Sequence, residues 1–460
     1  MAYQSINPYN SEVLKSFDSL TDEQVSQALN TAHHCYQDNW SKKSISERCA
    51  ILKKAAQLML EQVDDLAKLI TLEMGKRIKE SEGEVKISAA ILDYYATHAQ
   101  TFLQPKLIKE TAEESAWIEN HPIGVLVAVE PWNYPYYQLA RIAAPNLACG
   151  NTLLVKHAHN VPQCALAFEK ILHDAGLPKG AYTNIFANSA QVAKLIQDPR
   201  TRGVALTGSE KAGQALAMEA GKNLKKSTME LGGSDPFIVL EDCDLDLAVN
   251  MAVPGRMSNS GQVCCGSKRF IVAKKIADQF LNAFRERLKV FQPGDPLDPQ
   301  TNMAPLSSQE ALSQLEEQVA TAVKHGAKVL LGGKRCEHVG AFMQPTILGD
   351  ITEENPVFYQ EFFGPVALFF VVKNEDEAIK LANNSPYGLG GSVFTQDITR
   401  GNRVASQLDT GMVAVNGLVD SSPELPFGGV KNSGYGKELS DMGIKEFLNQ
   451  KLIVSPKKTI

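Results

Sequence analysis

Hydrophobic positions follow a helical period through much of the first hundred residues. Residues 21–24 (Thr-Asp-Glu-Gln) and 44–47 (Ser-Ile-Ser-Glu) have the capping-box pattern with which many helices begin. The second precedes an amphipathic run in which apolar side chains recur at helical spacing over residues 51–70. We therefore expect the N-terminal hundred residues to be helical, with this long helix ending near Gly75.

From about residue 117 the pattern changes to short β-branched runs that alternate with helical stretches. Such alternation is typical of right-handed β-α-β units, in which a mostly parallel sheet is covered by helices on both faces. Ligands of such sheets bind beyond the carboxyl ends of the strands. The predicted strands are 123–129, 152–155, 182–186, 203–207 and 227–231, and the predicted helices are 136–149, 161–175, 190–197 and 212–223.

A second alternating block begins after Asp235, so the sequence predicts an α/β protein with two α/β domains that meet near residue 232. The polar, β-rich stretch 106–117 predicts an exposed hairpin that pairs with the tail at 452–455. Because an exposed strand edge can pair with another chain, we expect oligomerisation there. The strands predicted in the second block are 237–240, 268–272, 328–331, 366–372, 391–394 and 412–415.

Composition restricts the classes of function that remain. Of the 460 residues, 44% are hydrophobic and 21% are charged, which excludes a disordered or collagen-like chain. The net charge of −6, without a long basic block, gives no support for nucleic-acid binding. Apolar stretches fall far short of the ~18 residues of a membrane span. The first residues show no secretory signal. We therefore expect a cytoplasmic protein with no membrane partner.

Cysteine and histidine usage predicts no metal site. The eight cysteines include no Cys-x-x-Cys pair, and the nine histidines do not lie at metal-ligand spacing from cysteines or acids. In a reducing compartment a cysteine is usually a small buried hydrophobic residue. A catalytic interpretation therefore needs special surroundings.

Cys264 and Cys265 have such surroundings. They lie between Gly261 and Gly266, where a backbone turn can expose a thiol. A reactive thiol needs an open, electropositive setting. The alternative interpretation of this stretch alone is a buried structural cysteine.

Three further segments carry residues suited to chemistry. Glu230 ends a predicted strand before two glycines, where apolar surroundings would raise the pKa of a general base, although it could also be a surface residue at a turn. Asn133 lies between two prolines and can donate to an oxyanion, or it can be a satisfied turn residue. Residues 206–213 form a strand, a turn and a helix start whose free amides favour a phosphate. The Gly-x-Gly-x-x-Gly fingerprint is absent.

Together these segments resemble the aldehyde dehydrogenase superfamily, and most closely its short bacterial succinate-semialdehyde dehydrogenases. The resemblance covers nearly the whole chain. Further matching motifs are Ile6-Asn-Pro8, Glu73-Met-Gly-Lys76, Gly150-Asn-Thr-Leu-Leu-Val-Lys156, Glu361-Phe-Phe-Gly-Pro365 and Pro426-Phe-Gly-Gly-Val-Lys-Asn-Ser-Gly434.

The resemblance implies two Rossmann-like domains and a small β-hairpin oligomerisation element. The cofactor-binding domain would comprise residues 1–104 and 122–231, the catalytic domain residues 232–432, and the oligomerisation element residues 105–121 and 448–460. It also implies a homo-oligomer, a dimer or a tetramer.

The resemblance further implies a role for each matching residue. Cys264 would be the nucleophile, Glu230 the general base and Asn133 the oxyanion donor. Thiolate attack on an aldehyde would give a thiohemiacetal, loss of hydride a thioester, and base-assisted hydrolysis the acid. The expected cofactor contacts are Trp132, Lys156, His159, Gly208, Ser209, Glu361 and Phe363.

His159 bears on the choice of cofactor. It lies three residues after Lys156, where the family usually has a glutamate that binds ribose hydroxyls and repels a 2′-phosphate. Without that carboxylate, NADP should be accepted, while NAD is not excluded. The alternative is that His159 simply points to solvent.

The expected substrate is succinate semialdehyde, whose remote carboxylate needs an arginine or hydroxyl groups. Arg141 matches a carboxylate-binding arginine of related enzymes, or it forms a helix-surface ion pair. The second such arginine is replaced by Ser258, with Arg256 two residues earlier; Ser421 could add a hydroxyl and Phe427 an aromatic wall.

Three questions stay open at this point. The substrate could be another small carboxylated or aliphatic aldehyde. The chain could be a catalytically silent member of the fold, although Cys264, Glu230 and Asn133 are all present. Cys265 could be inert and buried, or it could form a reversible disulfide with Cys264.

Overall fold

The structure is a computed structural model that describes residues 3–457. Its helices of four or more residues are α1 Asp22–Asp38, α2 Ile45–Glu61, α3 Val63–Met74, α4 Ile78–Phe102, α5 Pro135–Cys149, α6 Pro162–Asp174, α7 Ser189–Gln197, α8 Glu210–Lys222, α9 Leu245–Met257, α10 Ala277–Leu288, α11 Gln309–Lys324, α12 Glu375–Asn383, α13 Ile398–Ala405 and α14 Ser440–Gly443.

The strands form sheets of two to seven members. They are β1 Tyr3–Ile6, β2 Val13–Phe17, β3 Lys106–Glu110, β4 Glu114–Pro122, β5 Val125–Glu130, β6 Thr152–His157, β7 Tyr182–Asn184, β8 Thr201–Thr207, β9 Lys226–Glu230, β10 Asp235–Val239, β11 Ser267–Ala273, β12 Lys328–Leu331, β13 Thr346–Gly349, β14 Val366–Val372, β15 Tyr387–Gly388, β16 Ser392–Phe394, β17 Ala414–Val415, β18 Val430–Lys431, β19 Gly434–Tyr435 and β20 Leu448–Pro456.

The N-terminal region confirms both capping boxes. The side chains of Thr21 and Ser44 each accept from the backbone three residues on, at the starts of α1 and α2. The amphipathic run is two helices rather than one, because the chain breaks at Gln62. Gly75, in the left-handed conformation with φ 81°, ends α3 as predicted. The expectation of a wholly helical N-terminus is wrong for residues 3–17, which form the antiparallel pair β1–β2.

The first large sheet has the order β19-β9-β8-β5-β6-β7. Its strands β5 to β9 are parallel neighbours and overlap the five strands predicted between residues 123 and 231. The short strand β19, which comes from much later in the chain, adds an antiparallel edge next to β9. Because β5, β6 and β8 are central and parallel, their carboxyl ends meet at one edge of the sheet, where ligands of such folds bind.

The second large sheet has the order β12-β13-β14-β11-β10-β16-β17. It is parallel except for the pair β12–β13. Strand β13 was not predicted, because four apolar-leaning residues carry little periodic signal. The chain passes from the first sheet to the second between Glu230 and Asp235. The structure thus confirms the α/β class with two mainly parallel sheets; the exact domain limits stay a prediction.

The predicted hairpin pairs with the C-terminal tail. Strands β3, β4 and β20 form a separate antiparallel sheet in the order β20-β4-β3, in which Leu452 faces Ile118. Every residue of β3 is exposed. Residues 458–460 of the expected oligomerisation element, and Met1 and Ala2 of the expected signal-free N-terminus, lie outside the described residues. Between residues 3 and 457, none of the helices is long and apolar enough to cross a membrane.

Candidate active site

The loop that carries Cys264 is held in an unusual backbone conformation. After α9 the chain forms a short 3₁₀ turn in which Asn259 and Ser260 have left-handed φ angles of 49° and 53°. Gly261 follows with φ +79°, and a Cβ there would lie 2.2 Å from the carbonyl oxygen of Gly364. Only glycine permits this close approach. The loop is therefore pressed against the segment that follows Glu361.

A cavity of about 690 Å³ opens beside this loop. Cys264 and Cys265 both contribute to its wall, together with aromatic side chains of α5 and its N-terminal turn. Four residues expected at the substrate also line it: Arg141, Ser258, Ser421 and Phe427. The fold therefore brings these four predicted residues, which are far apart in the chain, to one cavity.

The Cys264 thiol is partly buried, and its pKa is lowered from the ordinary value of a cysteine. A hydrogen bond from the Cys265 thiol is the largest cause, and the positive charges of Arg141 and Lys268 add to it, against the opposing effect of burial. A lowered pKa favours the thiolate, which is the nucleophilic form. Cys265 has a raised pKa and lies at the cavity rather than in the core, so it is not the sealed residue of the simpler interpretation.

Glu230 is the last residue of β9. Its backbone carbonyl accepts from the Gly208 amide at 2.9 Å, while its side chain is buried. Within residues 3–457 neither carboxylate oxygen has a hydrogen-bond partner. Burial, and then the negative charge of Glu438, raise its pKa well above the ordinary value, although the Arg141 cation opposes this. A buried, unpartnered carboxylate with a raised pKa is a stronger base than an ordinary carboxylate.

The side-chain amide of Asn133 is held so that its nitrogen, Nδ2, keeps one proton without a partner among the described residues. Its Oδ1 accepts from Gln138 Nε2 at 3.0 Å, which identifies Nδ2 as the donor. Nδ2 gives one proton to the carbonyl of Gln262, at 3.0 Å, and its second proton is available. The backbone carbonyl of Asn133 accepts from Lys76 Nζ at 2.8 Å and from Asn259 Nδ2 at 2.9 Å. This buried anchoring was not anticipated.

Lys76 is itself fixed by a buried ion pair with Glu84. Glu84 Oε1 accepts from the backbone of Tyr136 at 2.8 Å, at the start of α5. The family motif that includes Lys76 thus has a local structural role: it ties α4 to the turn that carries Asn133. The motif is visible in the sequence, but its contacts with Glu84 and Asn133 are not.

The oxyanion role that the family resemblance implies for Asn133 predicts that its replacement by alanine lowers kcat by about 10²–10³-fold, because one donor would be lost. Asn133→Asp keeps the shape but carries no Nδ2 donor, so a similar loss is expected. Steady-state kinetics of both variants, with thermal unfolding as a check of folding, measures this. Full activity of folded Asn133→Asp would show that the amide does not act as a donor.

Arg141 lies in α5 and is almost fully buried. It forms an ion pair with Glu438, donates from Nη2 to Thr207 Oγ1 at 3.0 Å, and lies over the Phe427 ring at 4.8 Å. The helix-surface interpretation of this residue is therefore wrong, because the ion pair is internal. Glu438, which the sequence analysis missed, neutralises part of the charge that Arg141 presents to the cavity.

Arg256 is not brought to the cavity. Its buried guanidinium donates from Nη2 to the carbonyl of Gly261, behind the cysteine loop. Burial lowers the pKa of Arg256 to about 10. The side chain supports the loop backbone from the last turn of α9; a substrate contact at Arg256 stays a prediction.

The carboxyl ends of the central strands of the first sheet meet at one edge, where ligands of such folds bind, and the space beyond this edge is here called the cleft. Trp132 follows β5, and its ring packs edge-to-face on Phe363 with 5.8 Å between ring centres. Gly208 and Ser209 follow β8, and Ser209 caps α8 by accepting from Ala212 at 3.3 Å. The N-terminal amides of this 13-residue helix face the position where such folds bind a phosphate.

Lys156 and His159 extend this cleft at β6. Burial lowers the pKa of Lys156, and among the described residues its ammonium group has no ion pair with a carboxylate. The group lies 5.9 Å from the centre of the Tyr3 ring. His159 is exposed. A partly buried cation without a counterion, beside an exposed imidazole, fits a phosphate group.

Glu361 lies against Gly232 and Gly233, in the turn that follows β9. Its Oε1 accepts from the Gly233 amide at 3.1 Å and lies 3.2 Å from Lys268 Nζ. A Cβ at Gly232 would lie 2.4 Å from Oε2, so a larger residue there would displace this carboxylate. A carboxylate is a suitable acceptor for ribose hydroxyls. The donors and acceptors of the cleft therefore fit a phosphorylated dinucleotide.

Comparisons with known proteins agree along the whole chain. The sequence model of the aldehyde dehydrogenase family matches residues 1–453. Succinate-semialdehyde dehydrogenase (NADP+) of Deinococcus radiodurans is 50% identical over 451 residues, which cover 98% of this chain and 94% of that protein. Succinic semialdehyde dehydrogenase of Streptococcus pyogenes, solved in complex with NADP+, has a TM-score of 0.97 at 44% identity and covers 99% of this chain and 100% of its own.

Enzymes that are named for other substrates also have similar structures. The structure of betaine aldehyde dehydrogenase from Staphylococcus aureus in complex with NAD+ has a TM-score of 0.95 at 31% identity, covering 99% of this chain and 91% of that one. The fold is therefore shared more widely than the substrate.

Proposed function

The chain belongs to the aldehyde dehydrogenase family, and from that premise we propose that it oxidises succinate semialdehyde to succinate with NADP+, and also accepts NAD+. One observation carries the proposal: Cys264, a thiol with a lowered pKa, lines a cavity of about 690 Å³, and Lys268 links its loop to Glu361, a proposed cofactor contact. The names of the relatives from Deinococcus and Streptococcus support this substrate and this cofactor.

The proposed mechanism begins with attack of the Cys264 thiolate on the aldehyde carbon. Asn133 Nδ2 and the backbone amide of Cys264 would donate to the oxygen that becomes negative. When bound, the nicotinamide supplies the acceptor for the hydride that leaves. Glu230 would then take a proton from the water that attacks the thioester, and succinate would be released.

Trp132, Lys156, His159, Gly208, Ser209, Glu361 and Phe363 are the proposed cofactor contacts. Lys156 and His159 would lie at the adenosine ribose and its 2′-phosphate, and the amides after Gly208 at the pyrophosphate. Glu361 would hold the other ribose, and the facing rings of Trp132 and Phe363 would border the nicotinamide.

The remote carboxylate of the substrate is proposed to lie at the mouth of the cavity. Tyr137 donates to Ser421 Oγ at 2.8 Å, and Arg141 Nη1 lies 3.4 Å from the Tyr137 hydroxyl. These groups, with Ser258 on the opposite wall, supply hydroxyls and one cation. Phe427 adds an apolar side that suits the methylene chain.

A panel of aldehydes tests the substrate. Succinate semialdehyde is expected to exceed butanal, which has the same length but no carboxylate, by about 10²-fold in kcat/KM with NADP+. Shorter and longer ω-carboxylated aldehydes measure the depth of the cavity. Equal kcat/KM for butanal would contradict the proposed recognition of a carboxylate and favour a general aliphatic aldehyde dehydrogenase.

Replacing His159 by glutamate is expected to raise KM for NADP+ about tenfold while changing that for NAD+ little, because a carboxylate repels the 2′-phosphate. Initial rates with each cofactor measure the ratio. His34→Glu is the matched control, since His34 is an exposed histidine on α1. An unchanged NADP+ preference in His159→Glu would place the 2′-phosphate elsewhere.

We further propose that the chain is a cytoplasmic homo-oligomer that assembles through the sheet β20-β4-β3. This sheet leaves Leu107, Ile108, Leu452 and Val454 more than half exposed, which is unusual for apolar side chains on a strand edge. Leu452→Lys with Val454→Lys is expected to reduce the oligomer to a smaller species in sedimentation velocity. Met218→Lys, at an exposed apolar position on α8, is the control.

A further inference from the structure

Lys268 lies between the loop that carries Cys264 and the carboxylate of Glu361. Its side chain is fully buried in β11. Its Nζ donates to the carbonyls of Val263 at 2.8 Å and Cys264 at 2.7 Å, and more weakly to Gly266 at 3.4 Å. It also lies 3.2 Å from Glu361 Oε1. Because an ammonium group has three protons, these four acceptors compete for it.

Glu361 connects this buried group to the cleft. Its side chain keeps 19% of its surface exposed, while that of Lys268 keeps none. The same oxygen, Oε1, accepts from the Gly233 amide and faces Lys268. A hydroxyl group that bound this carboxylate would therefore compete with Lys268 for it.

Resting on the proposed function, we propose that Lys268 is a positioning residue that couples binding of the cofactor's nicotinamide-side ribose at Glu361 to the loop of Cys264. A ribose hydroxyl on Glu361 weakens the ion pair and leaves the ammonium group to the carbonyls of Val263 and Cys264. Lys268 then holds the loop of Cys264 more firmly, and its positive charge beside the thiol is less neutralised by Glu361. Such coupling is reciprocal, so the state of the loop also changes affinity for the ribose.

The charges around the thiol set the direction of the effect. Lys268 lowers the pKa of Cys264, and Glu361 raises it. A ribose hydroxyl that partly neutralises the Glu361 carboxylate therefore favours the thiolate. The buried carboxyl of Asp235 also faces Lys268; burial raises its pKa to about 6, and Lys268 opposes this. The other titratable or charged groups that act on the thiol are Cys265, Arg141 and Glu230.

The test measures alkylation of Cys264 by iodoacetamide, located by fragmentation of the peptide in a mass spectrometer. Two ligands without a nicotinamide ring avoid covering the thiol. 2′-Phospho-ADP-ribose contains the second ribose and is expected to accelerate alkylation about fivefold or more. 2′,5′-ADP lacks that ribose and is expected to leave the rate unchanged.

Lys268→Met removes the charge and should bring the ratio of rates with and without 2′-phospho-ADP-ribose to about one, while Lys268→Arg should retain part of the effect. A wild-type ratio in folded Lys268→Met would overturn the coupling. If thermal unfolding shows that Lys268→Met does not fold, Glu361→Gln takes its place; it keeps the side-chain shape but weakens the ion pair. A ratio unchanged from wild type in that variant would also overturn the coupling.

Binding measured separately distinguishes the two proposals. Titration of tryptophan fluorescence reports whether each ligand binds the wild-type protein. If neither binds, the proposed cofactor function is wrong, and the coupling falls with it. If both bind and both leave alkylation unchanged, only the coupling is wrong.

Discussion

Cys264→Ala is expected to lose at least about 10⁴-fold in kcat, because no other group in the cavity can form the covalent intermediate. The adjacent thiol is not expected to replace it: the contact with Cys264, the largest cause of the raised pKa of Cys265, is lost in this variant, but burial still raises that pKa and disfavours the thiolate. Binding of NADP+ should be unchanged, because its proposed contacts lie across the cleft. Absorbance of the reduced nicotinamide measures turnover, and fluorescence titration measures binding.

Cys265→Ala is the matched control for this experiment, since it removes an identical group one residue away. We expect it to keep turnover within about tenfold of wild type, with some loss because the hydrogen bond from Cys265 favours the Cys264 thiolate. Turnover by Cys264→Ala, or complete loss in Cys265→Ala alone, would show that the nucleophile is misassigned. Peroxide treatment followed by thiol rescue of the same control tests a protective disulfide; unchanged recovery would remove that hypothesis.

Glu230→Gln is expected to form about one reduced cofactor per site and then slow by about 10²–10⁴-fold. Attack and hydride transfer do not need the Glu230 carboxylate, whereas hydrolysis of the thioester needs a base to activate water. Rapid mixing with succinate semialdehyde and NADP+ resolves the burst from the steady rate. Steady turnover equal to that of the wild type would show that another group is the base.

The pH dependence follows from the state of this carboxyl. Burial raises the pKa of Glu230, and only its deprotonated form accepts a proton. The wild-type steady rate should therefore be highest above this raised pKa and fall as the pH drops through it. Glu130→Gln is the control, because Glu130 is also buried with a raised pKa but ends a different strand, β5. It should keep the acidic limb that Glu230→Gln loses.

The alternation of strands and helices was sufficient to predict both large sheets. Buried parallel strands are continuous apolar runs, and these are visible in one sequence. The predicted strand 412–415 overlaps the two-residue strand β17. The equally short β15, β18 and β19 could not be assigned from periodicity, because a period needs several residues. The β1–β2 pair was not predicted for a similar reason, because the largely exposed strand β2 shows no alternation of buried and exposed residues.

The candidate site was predictable where residue type and local turn coincide, as at Cys264, Glu230 and Asn133. The residues that hold them were not. Lys76 and Glu438 make contacts more than fifty residues away in the chain, with Asn133 and Arg141 respectively. For Arg256 the sequence predicts a position near the cysteine loop. It does not predict the direction of the side chain, because that depends on where α9 ends.

Strand β19 has a consequence for biosynthesis. The edge next to Glu230 is supplied by Gly434 and Tyr435, so the first sheet is incomplete until nearly all of the polypeptide has left the ribosome. Pairing over some two hundred residues is slow to form. During translation the nascent N-terminal half would therefore carry an open edge beside its future catalytic carboxylate, and this is where we expect chaperones to engage it.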